Sequence, residues 1–196
     1  MTADKRRKKQ PVVTRQQLLD RAAELMLTSG IAGVTLDAVA HAAGVSKGGL
    51  LHHFSSKQQL IDAVITAQYE FFKSVIADEI ARDPNPVGRR TRAYIRAAAS
   101  LRNHISSKLC AIISVEARDS EVVRRQWQEC RAMLFNPEHP QGEDAVLLAV
   151  VQLAADGLWL ADLDGAFDAA PENYFRVIER LERLTLDAAV PIPPRR

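Results

Sequence analysis

The stretch GVSKGGLLHHF, residues 44–54, gathers the side chains of this chain best suited to chemistry. Ser46 brings a hydroxyl, Lys47 a cation, His52 and His53 two imidazoles, and Leu51 an apolar tip, while Gly48 and Gly49 bring bare backbone. Glycine costs a helix about 1 kcal/mol relative to alanine, so two of them at the start of a short helix ask for a compensating use. Side chains hold a helix away from whatever it touches. Without them, backbone N–H groups come close to a phosphate or a base edge, and Leu51 offers contact to a thymine methyl. Recognition of an anion and of nucleotide bases is the chemistry these residues fit. The paired histidines make a poor metal site, because neighbours on a helix point about 100° apart. No metal or other cofactor is expected.

The flanking sequence supplies elements to position them. Ser46 is an N-cap residue for a helix running into Phe54, and Thr35 caps a preceding helix to about Ala42. Ala43-Gly44-Val45 joins the two, which is the form of a helix-turn-helix. Ala40, Val45, Leu50 and Phe54 hold the pair together, leaving Ser46, Lys47, Gly49, Leu51 and His53 facing outward or sideways. Such a strip suits the major groove of DNA. Upstream, Thr14 and Gln17 form a capping box for a first helix with Leu18, Leu19, Ala22, Leu25 and Met26 on one face, ending near Gly30 and Gly33. Downstream, Ser56 and Gln59 form a second capping box that opens a long fourth helix to about Ile80.

Charge is unevenly placed. The net charge is +2, but residues 1–57 hold nine of the 26 Lys/Arg and four of the 24 Asp/Glu. A basic head for an anionic partner, followed by a body with another task, is the reading. Residues 1–13 form a flexible basic arm in which Lys8 and Lys9 are candidates for phosphate or minor-groove contact. Two cysteines, Cys110 and Cys130, make neither a disulfide scaffold nor a CxxC site. With no secretory h-region, the expected setting is cytoplasmic, and the apolar run 145–161, broken by Gln152 and Asp156, falls short of a comfortable membrane span. HExxH, paired ExxH and Gly-rich phosphate-loop motifs are lacking, so no enzymatic activity is expected.

TLDAVAHAAGVSKGGLLHHFSSKQQLIDAV resembles the DNA-binding region of the TetR family of bacterial transcriptional regulators, over roughly residues 14–65. The shared features are the small-residue turn, the Ser-Lys-Gly opening, the His-Phe ending and the Ser-Lys start of the fourth helix. Where the family usually has Thr and Tyr, this chain has Gly49 and Leu51, which removes two hydroxyls that often contact the DNA backbone. The resemblance implies phosphate bonds from Thr35 and Ser46, a phosphate or guanine contact from Lys47, His52 and His53 along the backbone or groove, and a phosphate clamp at Lys57.

The rest of the chain reads as helices near 87–102, 106–117, 119–135, 143–163 and 171–188, with Pro171 in a first turn and no strand alternation. The expected fold is all-α: a three-helix helix-turn-helix domain (14–57), a larger helical domain (58–190) and a disordered tail (191–196). The apolar 145–161 helix is expected to be buried on most sides, one face inside the subunit and another against a second copy, with the last helix beside it. The resemblance implies a homodimer through these last two helices on a near-palindromic operator. It also implies a small-molecule effector pocket, for which Phe71, Tyr94, His104, Cys110, Trp127, Met133, Phe135 and Trp159 are candidate lining residues and Asp156 a polar handle. The expected function is a dimeric repressor released by its effector. An activator of the same fold, or a thiol sensor using Cys110 and Cys130, is the alternative.

Overall fold

The computed structural model describes residues 10–134 and 144–188, with side chains from Arg15 onward. Lys8, Lys9, Phe135 and the 191–196 tail lie outside the described residues. The described chain is helical: α1 (Gln10–Gly33), α2 (Leu36–Ala42), α3 (Lys47–His53), α4 (Lys57–Arg82), α5 (Arg89–Ser100), α6 (Ile105–Glu116), α7 (Glu121–Leu134), α8 (Ala145–Leu163) and α9 (Pro171–Asp187). No strand occurs among the described residues.

Helix boundaries follow local chemistry. Thr35 Oγ1 accepts from the Ala38 N–H at 3.1 Å, and Ser46 Oγ from the Gly49 N–H at 3.0 Å, so both expected caps form. The second capping box closes one residue early. Ser56 Oγ takes the Gln59 N–H at 3.1 Å, but Gln59 Oε1 reaches back to the N–H of Ser55, not Ser56, at 2.6 Å. The Thr14 capping box does not start α1, which begins at Gln10 with Pro11 in its first turn. Near its other end α1 is interrupted at Gly30 (φ 68°), and Glu116 Oε2 accepts the Ile31 N–H there at 2.7 Å, satisfying a donor the interruption leaves without a helical partner.

The chain divides into two compact units: the residues to Gln68 with Ile112–Arg124, and Tyr69–Ala111 with the residues from Arg125. The first differs from the expected division at 57/58 because it includes the start of α4, where Leu60, Ile61, Val64 and Ile65 are buried. Its core also holds Leu18, Ala22, Met26, Val34, Val39, Leu50 and Phe54, all at most 1% exposed. Each large aliphatic or aromatic side chain so buried contributes about 1.5–3 kcal/mol.

In the second unit α5, α8 and α9 pack on one another around Ala93, Tyr94, Ile95, Cys130, Val151, Ala155, Tyr174, Ile178 and Leu181. Helix α9 turns Tyr174, Ile178, Leu181 and Thr185 inward, a spacing that keeps one stripe on one face. Arg102 bonds Asp162 through Nε and Nη2 at 2.9 and 2.6 Å and lies 4.4 Å over the Tyr174 ring.

Helix α8 is covered on one face by its own subunit: Leu148, Val151, Gln152, Ala155 and Leu158 are buried, whereas Val146, Val150, Leu153 and Leu160 stand 74, 55, 69 and 56% exposed. With 19 residues and a mean hydropathy of 1.7 it is also long and apolar enough to cross a membrane, by length and composition alone.

Candidate nucleic-acid interface

Helices α2 and α3 pack through Val39, Ala40, Leu50 and Phe54, at most 4% exposed, with Val45 half-buried. The tight turn between them needs Gly44, whose φ of 67° is left-handed. This packing decides what remains outside. Thr35, Ser46, Lys47, Gly48, Leu51 and His52 are exposed, while Gly49, His53 and Lys57 are half-covered. Leu51 is 40% exposed, a large apolar side chain with no core to join. The strip expected from sequence is thus assembled on one short helix and its flanks.

The two glycines of α3 are not demanded by the fold. A Cβ added at Gly48 would meet only Ser46 Oγ at 4.0 Å, and one at Gly49 would meet Ser46 Oγ at 3.3 Å and Val45 Cβ at 3.9 Å. Neither residue has a positive φ. Gly44 and Gly88 differ, since both need the left-handed conformation.

The polar groups of the strip have partners. Lys47 Nζ bonds Asp37 Oδ2 at 2.9 Å, joining the first turn of α2 to the start of α3. Both side chains are more than half exposed, so solvent screening leaves the pair worth about 0–1 kcal/mol of stability. Lys57 Nζ donates to the Ala32 carbonyl at 2.9 Å, which ties the start of α4 to the end of α1. His52 and His53 meet edge to face with centroids 5.5 Å apart, and the Arg15 guanidinium lies 5.2 Å over the Phe54 ring. Asp37 was not singled out from sequence. The available signal was that it is the one carboxylate between Thr35 and Phe54.

The described effector candidates all lie in the second unit. The Tyr94 hydroxyl donates to Asp156 Oδ1, so the polar handle has a partner within the chain. Burial raises the Asp156 pKa, and the Tyr94 bond and the charge of Arg131 only partly oppose it. Burial, joined by the Asp156 charge and hydrogen bond, also raises Tyr94 well above its ordinary value. Tyr94 packs edge to face on Phe72, and Trp127 does so on Tyr69, with centroids 5.8 and 5.9 Å apart. Trp159 Nε1 donates to Ser107 Oγ at 2.8 Å. Phe71 and His104 stack at 5.6 Å and both are exposed. Cys110 and Met133 are half-buried. Cys130 is fully buried, which pushes its thiol up to about 11. That is a poor source of thiolate at neutral pH.

Comparison with known proteins bears on both units. The family model described as "Bacterial regulatory proteins, tetR family" matches residues 18–64. The model described as "Tetracyclin repressor-like, C-terminal domain" matches residues 88–186, half of the chain. The regulator SrpR of Pseudomonas putida is 36% identical over 55 residues, covering 28% of this chain and 26% of that protein. The repressor KstR2 of Mycobacterium tuberculosis is 26% identical over 90 residues, covering 46% and 45%. The chain therefore spans less than half the length of these relatives. A transcriptional regulator from Rhodococcus sp. Rha1 superposes with a TM-score of 0.69 at 20% identity, covering 91% of this chain and 99% of that one. An N-terminal helix-turn-helix and a C-terminal helical unit, each matched by its own model, place this chain in the TetR family.

Proposed function

We propose that the chain is a DNA-binding transcriptional repressor that works in the cytoplasm as a twofold dimer on a near-palindromic operator and is released by a small-molecule effector. The observation that carries the DNA reading is the pair of glycines in α3. They weaken the helix, neither needs a positive φ, and the Cβ position at Gly48 is open, so the fold does not demand that glycine. Close approach of the α3 backbone to DNA is the use that offsets the cost, with Leu51 beside it for a thymine methyl. KstR2, named a repressor, favours repression over activation.

The dimer reading rests on α8. Val146, Leu153 and Leu160 recur at the seven-residue spacing of a helix–helix seam, Val150 falls between the first two on the same side, and all four are more than half exposed. An apolar stripe of that kind marks an interface. A second copy presenting the same stripe buries it by twofold symmetry. The effector reading rests on the C-terminal family match and on the interior pair Tyr94–Asp156, a polar feature among apolar helices. The reading is one of binding, not catalysis.

Fluorescence anisotropy tests it. The protein is titrated onto labelled DNA from upstream of its own gene and onto a scrambled duplex, at several salt concentrations. Preferential binding of the native fragment at one dimer per site, weakening with salt, is the expected result. Equal binding to both duplexes overturns the reading of a sequence-specific regulator.

A further inference from the structure

Asp37 and Lys47 are the only acidic residue and the only Lys or Arg between Thr35 and Phe54, and they are bonded to each other at 2.9 Å. The α2–turn–α3 segment from Thr35 to Phe54 thus carries no net formal charge, and Lys57 is the cation that flanks it. That is unusual for a surface read as facing a polyanion, whose non-specific attraction is almost wholly electrostatic. Helices α2 and α3 already pack on each other, with Val39 and Leu50 fully buried, so the exposed ion pair is not needed to hold the motif together.

We infer that Asp37 is a positioning residue for DNA reading: it holds Lys47 as a base-directed donor and cancels its charge toward phosphates. The inference rests on the DNA-binding reading above. An ammonium has three donors. One is taken by Asp37 Oδ2, and two remain for the paired acceptors of a guanine edge, O6 and N7. A free lysine is a flexible point charge that finds any phosphate. A lysine paired to α2 is biased in direction, and the carboxylate beside it offsets its attraction to phosphates. Gly48 and Gly49 follow it directly in α3, the first with an open Cβ position, so the paired ammonium and the bare backbone belong to one contact surface. Specificity then arises as much from weakened wrong contacts as from a strengthened right one.

The test uses the full chain and an operator that it selects from random duplexes. Wild type, Asp37→Asn, Asp37→Ser, Lys47→Gln and the double variant Asp37→Asn/Lys47→Gln are compared on operator, single-base variants and scrambled duplex across a salt series. With Asp37 present, Lys47→Gln is expected to leave the salt slope unchanged while relaxing the preference for guanine at one half-site position by about ten-fold. Asp37→Asn and Asp37→Ser are expected to relax the same position and to steepen the slope by about 0.9 per head. That added slope disappears in the double variant. A drop of about 0.9 per head on Lys47→Gln alone shows Lys47 to be an ordinary phosphate contact and overturns the inference. An unchanged base preference in the Asp37 variants overturns it too. A selection that enriches no sequence for wild type instead overturns the DNA-reading function itself.

Discussion

Arg92 and Asp83 form an ion pair buried at both ends, Nε to Oδ2 at 2.7 Å, with side chains 3 and 4% exposed. Three more of the five guanidinium donors are used: Nη1 donates to the Val87 carbonyl and Thr185 Oγ1, both at 2.8 Å, and Nη2 to the Asn85 carbonyl at 2.9 Å. One side chain fastens the α4–α5 loop to α9. Replacing Arg92 by Ala leaves Asp83 buried with the longer contact to Arg96, at 3.3 Å, and the Asn85 N–H, at 2.9 Å. The expected loss is about 3 kcal/mol, read as a lower urea midpoint.

The same carboxylate predicts acid sensitivity. Burial alone would raise the Asp83 pKa, but the Arg92 bond, the Asn85 N–H and the charges of Arg92 and Arg96 outweigh it and hold it below the ordinary range. A depressed folded pKa contributes stability above the unfolded value, about 3.9, and that contribution disappears as pH falls through the folded value. Wild type should therefore lose stability below about pH 4 more steeply than Arg92→Ala. Unfolding free energies at several pH values measure this, and parallel curves would contradict it.

Tyr94 and Asp156 predict the opposite sign. The Asp156 pKa is raised, chiefly by burial, so the folded state holds its proton to higher pH. Stability is greatest below the ordinary carboxylate range and declines as pH rises through the folded value. Asp156→Asn keeps a group able to bond the Tyr94 hydroxyl and removes the buried charge. It should be more stable than wild type at neutral pH, with the advantage fading on acidification. Tyr94→Phe removes the bond, worth about 1.5–3 kcal/mol to an ionised partner, and should cost more at neutral than at acid pH. Thermal melts across pH check both.

Gly48→Ala separates folding from binding. Its Cβ enters open space, so the free protein should gain up to about 1 kcal/mol while operator affinity falls. Gly49→Ala should gain less, because its Cβ comes within 3.3 Å of the Ser46 capping oxygen. Gly88→Ala is the control for a glycine the fold requires. There φ is 64° and the new Cβ would lie 2.5 Å from the Thr185 carbonyl, so it should destabilise by more than about 1 kcal/mol. Melting temperature and anisotropy on one preparation read both quantities.

Leu153→Glu tests the α8 seam. Leu153 is 69% exposed, so a charge there leaves the subunit core alone but cannot be buried against a second copy without a large cost. Sedimentation should show a folded monomer where wild type sediments as a dimer. A variant that remains dimeric places the interface elsewhere.

Local signals made much of the head legible. Thr35, Ser46 and Gly44 mark caps and a turn by their own chemistry, and each acts at short range along the chain. Tyr94 and Asp156 were both singled out, but their bond spans 62 positions, and no local pattern joins them. Arg92 was missed for a related reason. An arginine beside a Pro-rich loop reads as a solvated surface residue, and only the meeting of that loop with Thr185 buries it. The exposed stripe of α8 was half legible, since composition shows an apolar helix but not which side its own subunit covers.

The open space at Gly48 bears on how such a regulator changes its target. Most positions that touch a partner also serve the fold, so altering them risks both. Here a new side chain at Gly48 meets only Ser46 Oγ, at 4.0 Å. The core that holds α3 in place, Leu50 and Phe54 beneath it, is unaffected. With the DNA-facing role proposed for Gly48, operator preference can drift by single substitutions at this position while the folded scaffold stays the same.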